Sequence, residues 1–183
     1  MIIITSSRRP SRRTRSFIRE LVSVIPNTIK ITRGKRTLQE LLLVCLEVKA
    51  KTLILVLEKR GNPSALLFYL VDQKNNVLLK KLMLKLKGLK LWRELDNAVR
   101  PYNPSSIAID ASNIGSGLAE LLAEKLALFL GCKLVFNREE LLEYDVVIRM
   151  LEKEEYCELR FINPSTLKNV GPLLKIFGAV EYE

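Results

Sequence analysis

Apolar and polar positions alternate along this chain in two rhythms. Ile2 to Thr5 is a short apolar, β-branched run, the signature of a buried strand. From Ser11 to about Ile25 the period changes. At about 100° per residue, Phe17, Ile18, Leu21, Val22, Val24 and Ile25 fall on one side of a helix, with Pro26-Asn27 as its stop. Thr28 to Thr32 alternates as a strand, and Thr37 with Glu40 forms a capping box for a second helix reaching about Lys49. Thr52–Lys59 and Ala65–Asp72 read as strands joined by the turn Arg60-Gly61-Asn62-Pro63-Ser64. Lys80 to Lys87 alternates strictly, leucines one way and Lys81, Met83, Lys85 and Lys87 the other. Leu89 to Val99 has helical spacing.

Arg100-Pro101-Tyr102-Asn103-Pro104-Ser105 is the natural boundary, dividing the chain into halves 1–103 and 104–183. Beyond it the element order repeats. Ser106–Asp110 reads as a strand, Ala111 to Gly117 as a turn, and Leu118–Leu130 as a helix closed by Gly131. Lys133–Asn137 is a strand, Glu139–Tyr144 a short helix, Asp145–Leu151 and Tyr156–Asn163 a hairpin. Ser165–Phe177 is expected to be helical, interrupted at Gly171-Pro172. Both halves thus read β-α-β-α-β-β plus a helix, with an early offset of about 105 residues and negligible identity between them. The fold class is α/β, with mixed sheets in two similar half-domains.

Charge sharpens this picture. The net charge is +10, but residues 1–36 carry +9, residues 74–100 carry +6 and residues 101–183 carry −5. A basic N-terminal half joined to an acidic C-terminal half suggests a polyanion on one face and a different partner on the other. The basic excess is concentrated after the first strand, in Arg8, Arg9, Arg12, Arg13, Arg15 and Arg19, with Ser7 and Ser11 as candidate hydroxyl contacts among them. Arg12, Arg15 and Arg19 lie opposite the apolar stripe, with Arg13 at the flank, and Glu20 is the only acid before Glu40. A solvated helix face ordinarily mixes signs, so this one-sidedness favours phosphate over mere solubility. Ser11 as N-cap adds a helix N-terminus, whose N–H groups favour anions. Arg33, Lys35 and Arg36 form a second basic turn. Lys81, Lys85 and Lys87 are either a lysine-protected sheet edge or another nucleic-acid contact.

Histidine is absent, which excludes a histidine-based triad and a typical zinc site. Cys45, Cys132 and Cys157 lie far apart, with neither metal nor disulfide spacing, and read as core or strand thiols. No apolar run reaches the ~18–20 residues of a membrane span, and the four apolar residues before the arginines do not make a secretion signal. The expectation is a cytoplasmic protein without membrane, metal or cofactor. The turn Asp110-Ala111-Ser112-Asn113-Ile114-Gly115-Ser116-Gly117 is the best case for a phosphate- or nucleotide-binding enzyme, but it lacks a P-loop lysine and any full dinucleotide fingerprint. Glu139-Glu140 and Glu152 to Glu155 read as solvated carboxylates. No catalytic residue is assigned. Aromatic residues are sparse in the basic region, which points to recognition of RNA backbone and shape rather than sequence. A protein-interaction module, using the acidic half, is the remaining alternative.

The run Ile3-Ile4-Thr5-Ser6-Ser7-Arg8-Arg9-Pro10-Ser11, followed by Arg12 to Phe17, Glu20-Leu21, Pro26-Asn27 and Ile31 to Lys35, resembles the opening motif of the Brix-domain family of ribosome-biogenesis proteins. The short length is similar to the stand-alone archaeal members, and among eukaryotic relatives the small-subunit processome member looks nearest. The resemblance covers residues 2–36. It implies two α/β halves, each like the anticodon-binding domain of class II aminoacyl-tRNA synthetases. It also implies non-catalytic binding of ribosomal RNA or its precursor during assembly and rRNA processing, with other assembly factors or ribosomal proteins as further partners.

Overall fold

A computed structural model describes residues 1–100, 103–115 and 117–183. Pro101, Tyr102 and Ser116, which belong to the expected boundary and to the glycine-rich turn, lie outside the described residues. Among the described residues ten strands form one mixed sheet: β1 (Ile2–Ser6), β2 (Thr28–Lys30), β3 (Thr52–Lys59), β4 (Asn62–Asp72), β5 (Val77–Lys90), β6 (Ile107–Asp110), β7 (Lys133–Val135), β8 (Val146–Glu152), β9 (Cys157–Ile162) and β10 (Leu173–Glu181). Among the described residues four α-helices pack on it: α1 (Arg12–Val24), α2 (Leu38–Glu47), α3 (Leu118–Leu130) and α4 (Arg138–Leu141).

The strands lie in the order β2-β1-β3-β4-β5-β10-β9-β8-β6-β7. Read outward from the middle, the first five strands and the last five follow the same path. On each wing the outer three strands are parallel, with crossovers on opposite faces, so β1 and β6 are the points where the winding reverses. The two runs meet where β5 pairs antiparallel with β10, Leu86 opposite Ile176.

One face of the sheet carries the main core. Phe17, Ile18, Leu21 and Val24 of α1 and Leu122, Leu126 and Phe129 of α3 pack there against Ile4, Ile54, Phe68, Leu84, Ile148, Phe161 and Ile176. The Thr52 hydroxyl donates to the Phe129 carbonyl at 2.9 Å, tying α3 to β3. On the opposite face α2 buries Leu41 and Cys45 against Ile3, Leu53, Leu55 and Leu67, and α4 buries Leu141 against Ala108 and Val147. Both halves of the expected capping box are made: Glu40 N–H to the Thr37 hydroxyl and Thr37 N–H to the Glu40 carboxylate. Gly131 closes α3 at φ +65°, a conformation that glycine adopts without strain.

Three expectations are corrected. Leu89–Val99 is not a helix: β5 runs on to Lys90, and only Trp92–Glu94 makes a 3-10 turn. Residues 165–177 are not helical either, because Leu173 onward forms β10. The lysine-bearing strand β5 is not an edge but lies inside the sheet, between β4 and β10. Its lysines therefore do not guard a free edge.

Candidate nucleic-acid interface

β1 ends at Ser6, and the chain turns through Ser7 to Ser11 into α1, with Arg9 in the left-handed region at φ 55°. Ser11 caps the helix, its hydroxyl oxygen accepting the Thr14 N–H at 3.1 Å while its O–H reaches the Gly61 carbonyl at 2.8 Å. The helix N-terminus, expected to attract an external anion, already holds an internal one. The Glu58 carboxylate accepts the Ser11 N–H at 2.8 Å and the hydroxyl of buried Thr14 at 2.5 Å. Burial works against the charge on Glu58, but these hydrogen bonds and nearby Arg15 outweigh it and leave the carboxyl below its usual range. Ser11 is thus a structural cap. The Ser7 N–H is likewise spent on the Val56 carbonyl, at 2.9 Å.

The arginines divide into groups. Arg13 is committed inside the molecule: its fork clasps Glu94 through two bonds of 2.6 and 2.7 Å, and a further N–H reaches the Leu89 carbonyl at 3.2 Å. Arg12, Arg15 and Arg19 stand on the exposed face of α1, where they line an open cleft of about 400 Å³ together with Ser16, Lys30 of β2 and Arg93. No acid lines this cleft, and among the described residues none of these five cations forms an ion pair. Arg19 makes one bond inside the helix, to the Ser16 hydroxyl at 3.3 Å.

Arg93 enters the cleft because two residues of α1 hold the 92–94 turn. Glu20 accepts the Trp92 N–H at 2.7 Å, and Arg13 grips Glu94. Burial raises the carboxyl of Glu20, partly offset by the Trp92 N–H and by Arg93. The sequence missed both Lys30 and Arg93. Lys30 carried a signal as the outward position of an alternating strand. Arg93 lay in a segment misread as helix.

Arg8, Arg9, Arg33, Lys35 and Arg36 belong to loops at the carboxyl ends of β1 and β2. Arg33 Nε donates to the Arg36 carbonyl at 3.2 Å and Arg36 to the Thr32 carbonyl at 2.9 Å, so this turn braces itself. Hydrogen bonds from Thr37 first, then the charges of Arg36 and Arg8, hold the Glu40 carboxyl low. Lys81, Lys85 and Lys87 are not part of either group. Lys81 sits at a bulge of β5, Lys85 is opposite Gly178, and Lys87 pairs with Glu155.

The glycine-rich turn after β6 occupies the position of the β1–α1 loop. Counting from the paired positions Ile2–Thr52 and Ile107–Val146, Glu152 on β8 corresponds to Glu58 on β3. Its carboxylate likewise lies against the turn that opens the following helix: a Cβ on Gly117, at φ +122°, would stand 3.2 Å from Glu152 Oε1. Asp110 accepts the Ser112 hydroxyl at 2.6 Å and Arg149 Nε at 3.0 Å. Burial opposes its charge, yet Ser112 and Arg149 prevail and keep the carboxyl low. Two carboxylates at this turn repel a phosphate.

No protein-family model matches the chain. It is 42% identical over 180 residues to a probable Brix domain-containing ribosomal biogenesis protein of Saccharolobus solfataricus, covering 97% of this chain and 96% of that one. A protein of the same description from Pyrobaculum aerophilum is 38% identical over 113 residues, 61% of each chain. With that of Thermococcus kodakarensis the match is 40% over 95 residues, 52% of this chain and 45% of the relative, so the alignment spans about half of that protein's length. The crystal structure of a probable ribosomal biogenesis protein from Aeropyrum pernix superposes with a TM-score of 0.78 at 26% identity, over 96% of this chain and 94% of that one. Mil, an archaeal Imp4-like protein, shares the fold with a TM-score of 0.71 at 18% identity, each chain covered in full. On the near-complete Saccharolobus match, this chain belongs to the family of Brix domain-containing ribosomal biogenesis proteins.

Proposed function

We propose that this protein acts in ribosome biogenesis in the cytoplasm by binding ribosomal RNA or its precursor during assembly and processing, without catalysing a covalent step. The observation that carries the reading is the α1 cleft, where Arg12, Arg15, Arg19, Lys30 and Arg93 converge without an acid. Guanidinium forks suit phosphate oxygens, and four of them with one ammonium group around a single opening favour a ribose-phosphate chain over a single small anion. Arg8, Arg9, Arg33, Lys35 and Arg36 extend the basic surface along the carboxyl ends of the parallel strands.

The halves 1–103 and 104–183 divide this work. The acidic half offers a different surface, with Phe136, Leu142 and Leu167 all more than half exposed, the last two lining a groove of about 500 Å³. Such a patch favours another assembly factor or a ribosomal protein as its partner.

Crosslinking of the full chain to a structured precursor-rRNA fragment, with mass spectrometry of the adducts, tests the proposal. The adducts are expected in the peptides carrying residues 12–19, 30 and 93. Adducts confined to residues 104–183 overturn it.

A further inference from the structure

Among the described residues the face of the sheet opposite α1 and α3 is covered by α2, over β3, β4 and the first part of β5, and by α4 near β6 and β7. Leu78 and Met83 of β5 pack beneath α2, so the part of the central sheet left bare on that side among the described residues is the Lys85–Lys90 end of β5 with β10 and β9. Side chains alternate, so the residues between the core positions Leu84, Leu86, Leu174, Ile176, Cys157 and Leu159 face outward here. The strip that results is basic. Lys85 and Lys175 have no ion-pair partner among the described residues, and Lys87 and Lys175 approach the Tyr156 ring to 5.5 and 5.0 Å. The acids beside it are already engaged, Glu155 by Lys87 and Glu158 by Arg160.

Phe177 is the residue that folding leaves unexplained. It follows the fully buried Ile176 on a central strand, yet it is 51% exposed. It sits in an irregularity of the β5–β10 pairing, where Ile176 faces Leu86 and Gly178 faces Lys85. Gly178 keeps the surface beside the ring low: a Cβ there would rest 3.9 Å from the Lys85 side chain. A half-exposed phenyl ring flanked by unpaired lysines is the combination on which single-stranded nucleic acids stack.

We infer that this strip is a second RNA site, separate from the α1 cleft and on the other side of the sheet, which takes a short single-stranded segment. A base stacks on Phe177 while Lys85 and Lys175 hold the flanking phosphates. The inference rests on the RNA-binding reading above, but the two sites fail independently. Charge complementarity selects RNA over an apolar or basic protein segment.

The test uses the full chain and a fluorescein-labelled twelve-residue oligouridylate, read by anisotropy. Phe177→Leu keeps an apolar side chain and removes the stacking face. It should weaken binding about tenfold, within the range of one stacked base, and leave the salt slope alone. Phe177→Tyr should restore binding. Lys85→Ala with Lys175→Ala should lower the salt slope by about 1.4. Equal affinity for the parent and Phe177→Leu overturns the inference. So does loss of oligouridylate binding only when Arg12, Arg15 and Arg19 are replaced, an outcome that leaves the cleft standing. Displacement by polyglutamate of a label that Phe177→Leu does not affect also overturns it, assigning the strip to an acidic protein segment.

Discussion

Glu58→Gln should separate stability from RNA affinity. In the native protein its carboxylate receives the Ser11 N–H and the hydroxyl of Thr14, which is fully buried. The amide of glutamine can keep one of these bonds but not both with its charge. Loss of a charged cap at the first turn of α1 costs about 1 kcal/mol, and a poorly satisfied buried hydroxyl about 1–2 kcal/mol more. The total, about 2–3 kcal/mol, corresponds to a fall in Tm of about 5–10 °C for a chain of this size. RNA affinity should move the other way, tightening about twofold at low salt, because a negative charge near Arg15 has gone. The Glu58 carboxyl is lowered from about 4.5, so its contribution is complete above that pH and disappears as pH falls through the lower folded value. The stability gap between parent and variant, followed by circular dichroism, should therefore narrow in acid. Equal melting temperatures at pH 7 would refute the assignment of Glu58 as the internal anion of α1.

Glu94→Gln removes an acid near the cleft, yet it should weaken RNA binding by about two- to fivefold, the range of an exposed ion pair, because Arg13 no longer holds the turn that carries Arg93; tighter binding in the anisotropy titration contradicts this. Gly171→Ala should destabilise by about 1–3 kcal/mol in denaturant melts, since its Cβ would meet Val24 Cγ1 at 2.9 Å and Phe161 Cβ at 3.0 Å. Burial pushes the thiols of Cys45, Cys132 and Cys157 up to about 11, so a disulfide reagent at pH 8 should react slowly with all three until denaturant is added; rapid native labelling argues against the packing described.

Helix α1 and its cationic face were legible because their signals are local. A period near 3.6, a serine cap and a proline stop all lie within Ser11 to Pro26. The capping box of α2 and the glycine stop of α3 were legible for the same reason. What escaped the sequence depends on distant partners. Glu58 lies 47 positions from the Ser11 N–H it accepts, and Glu94 lies 81 positions from Arg13. Arg13 looked like a phosphate ligand only because its internal acid is invisible along the chain. The two false helices have one cause. Leu89–Val99 and Ser165–Phe177 flank the β5–β10 seam, where Leu173, Leu174 and Ile176 are all buried and blur the two-residue alternation. The same seam turned an apparent edge strand into a central one.

The salt dependence of RNA binding tests the central claim most directly. For a structured rRNA fragment, log affinity should fall linearly with log salt, and replacing Arg12, Arg15 and Arg19 together with alanine should reduce that slope by about 2–3 and weaken binding well over tenfold. A folded triple variant with the parent's slope and affinity would show that the phosphates lie elsewhere.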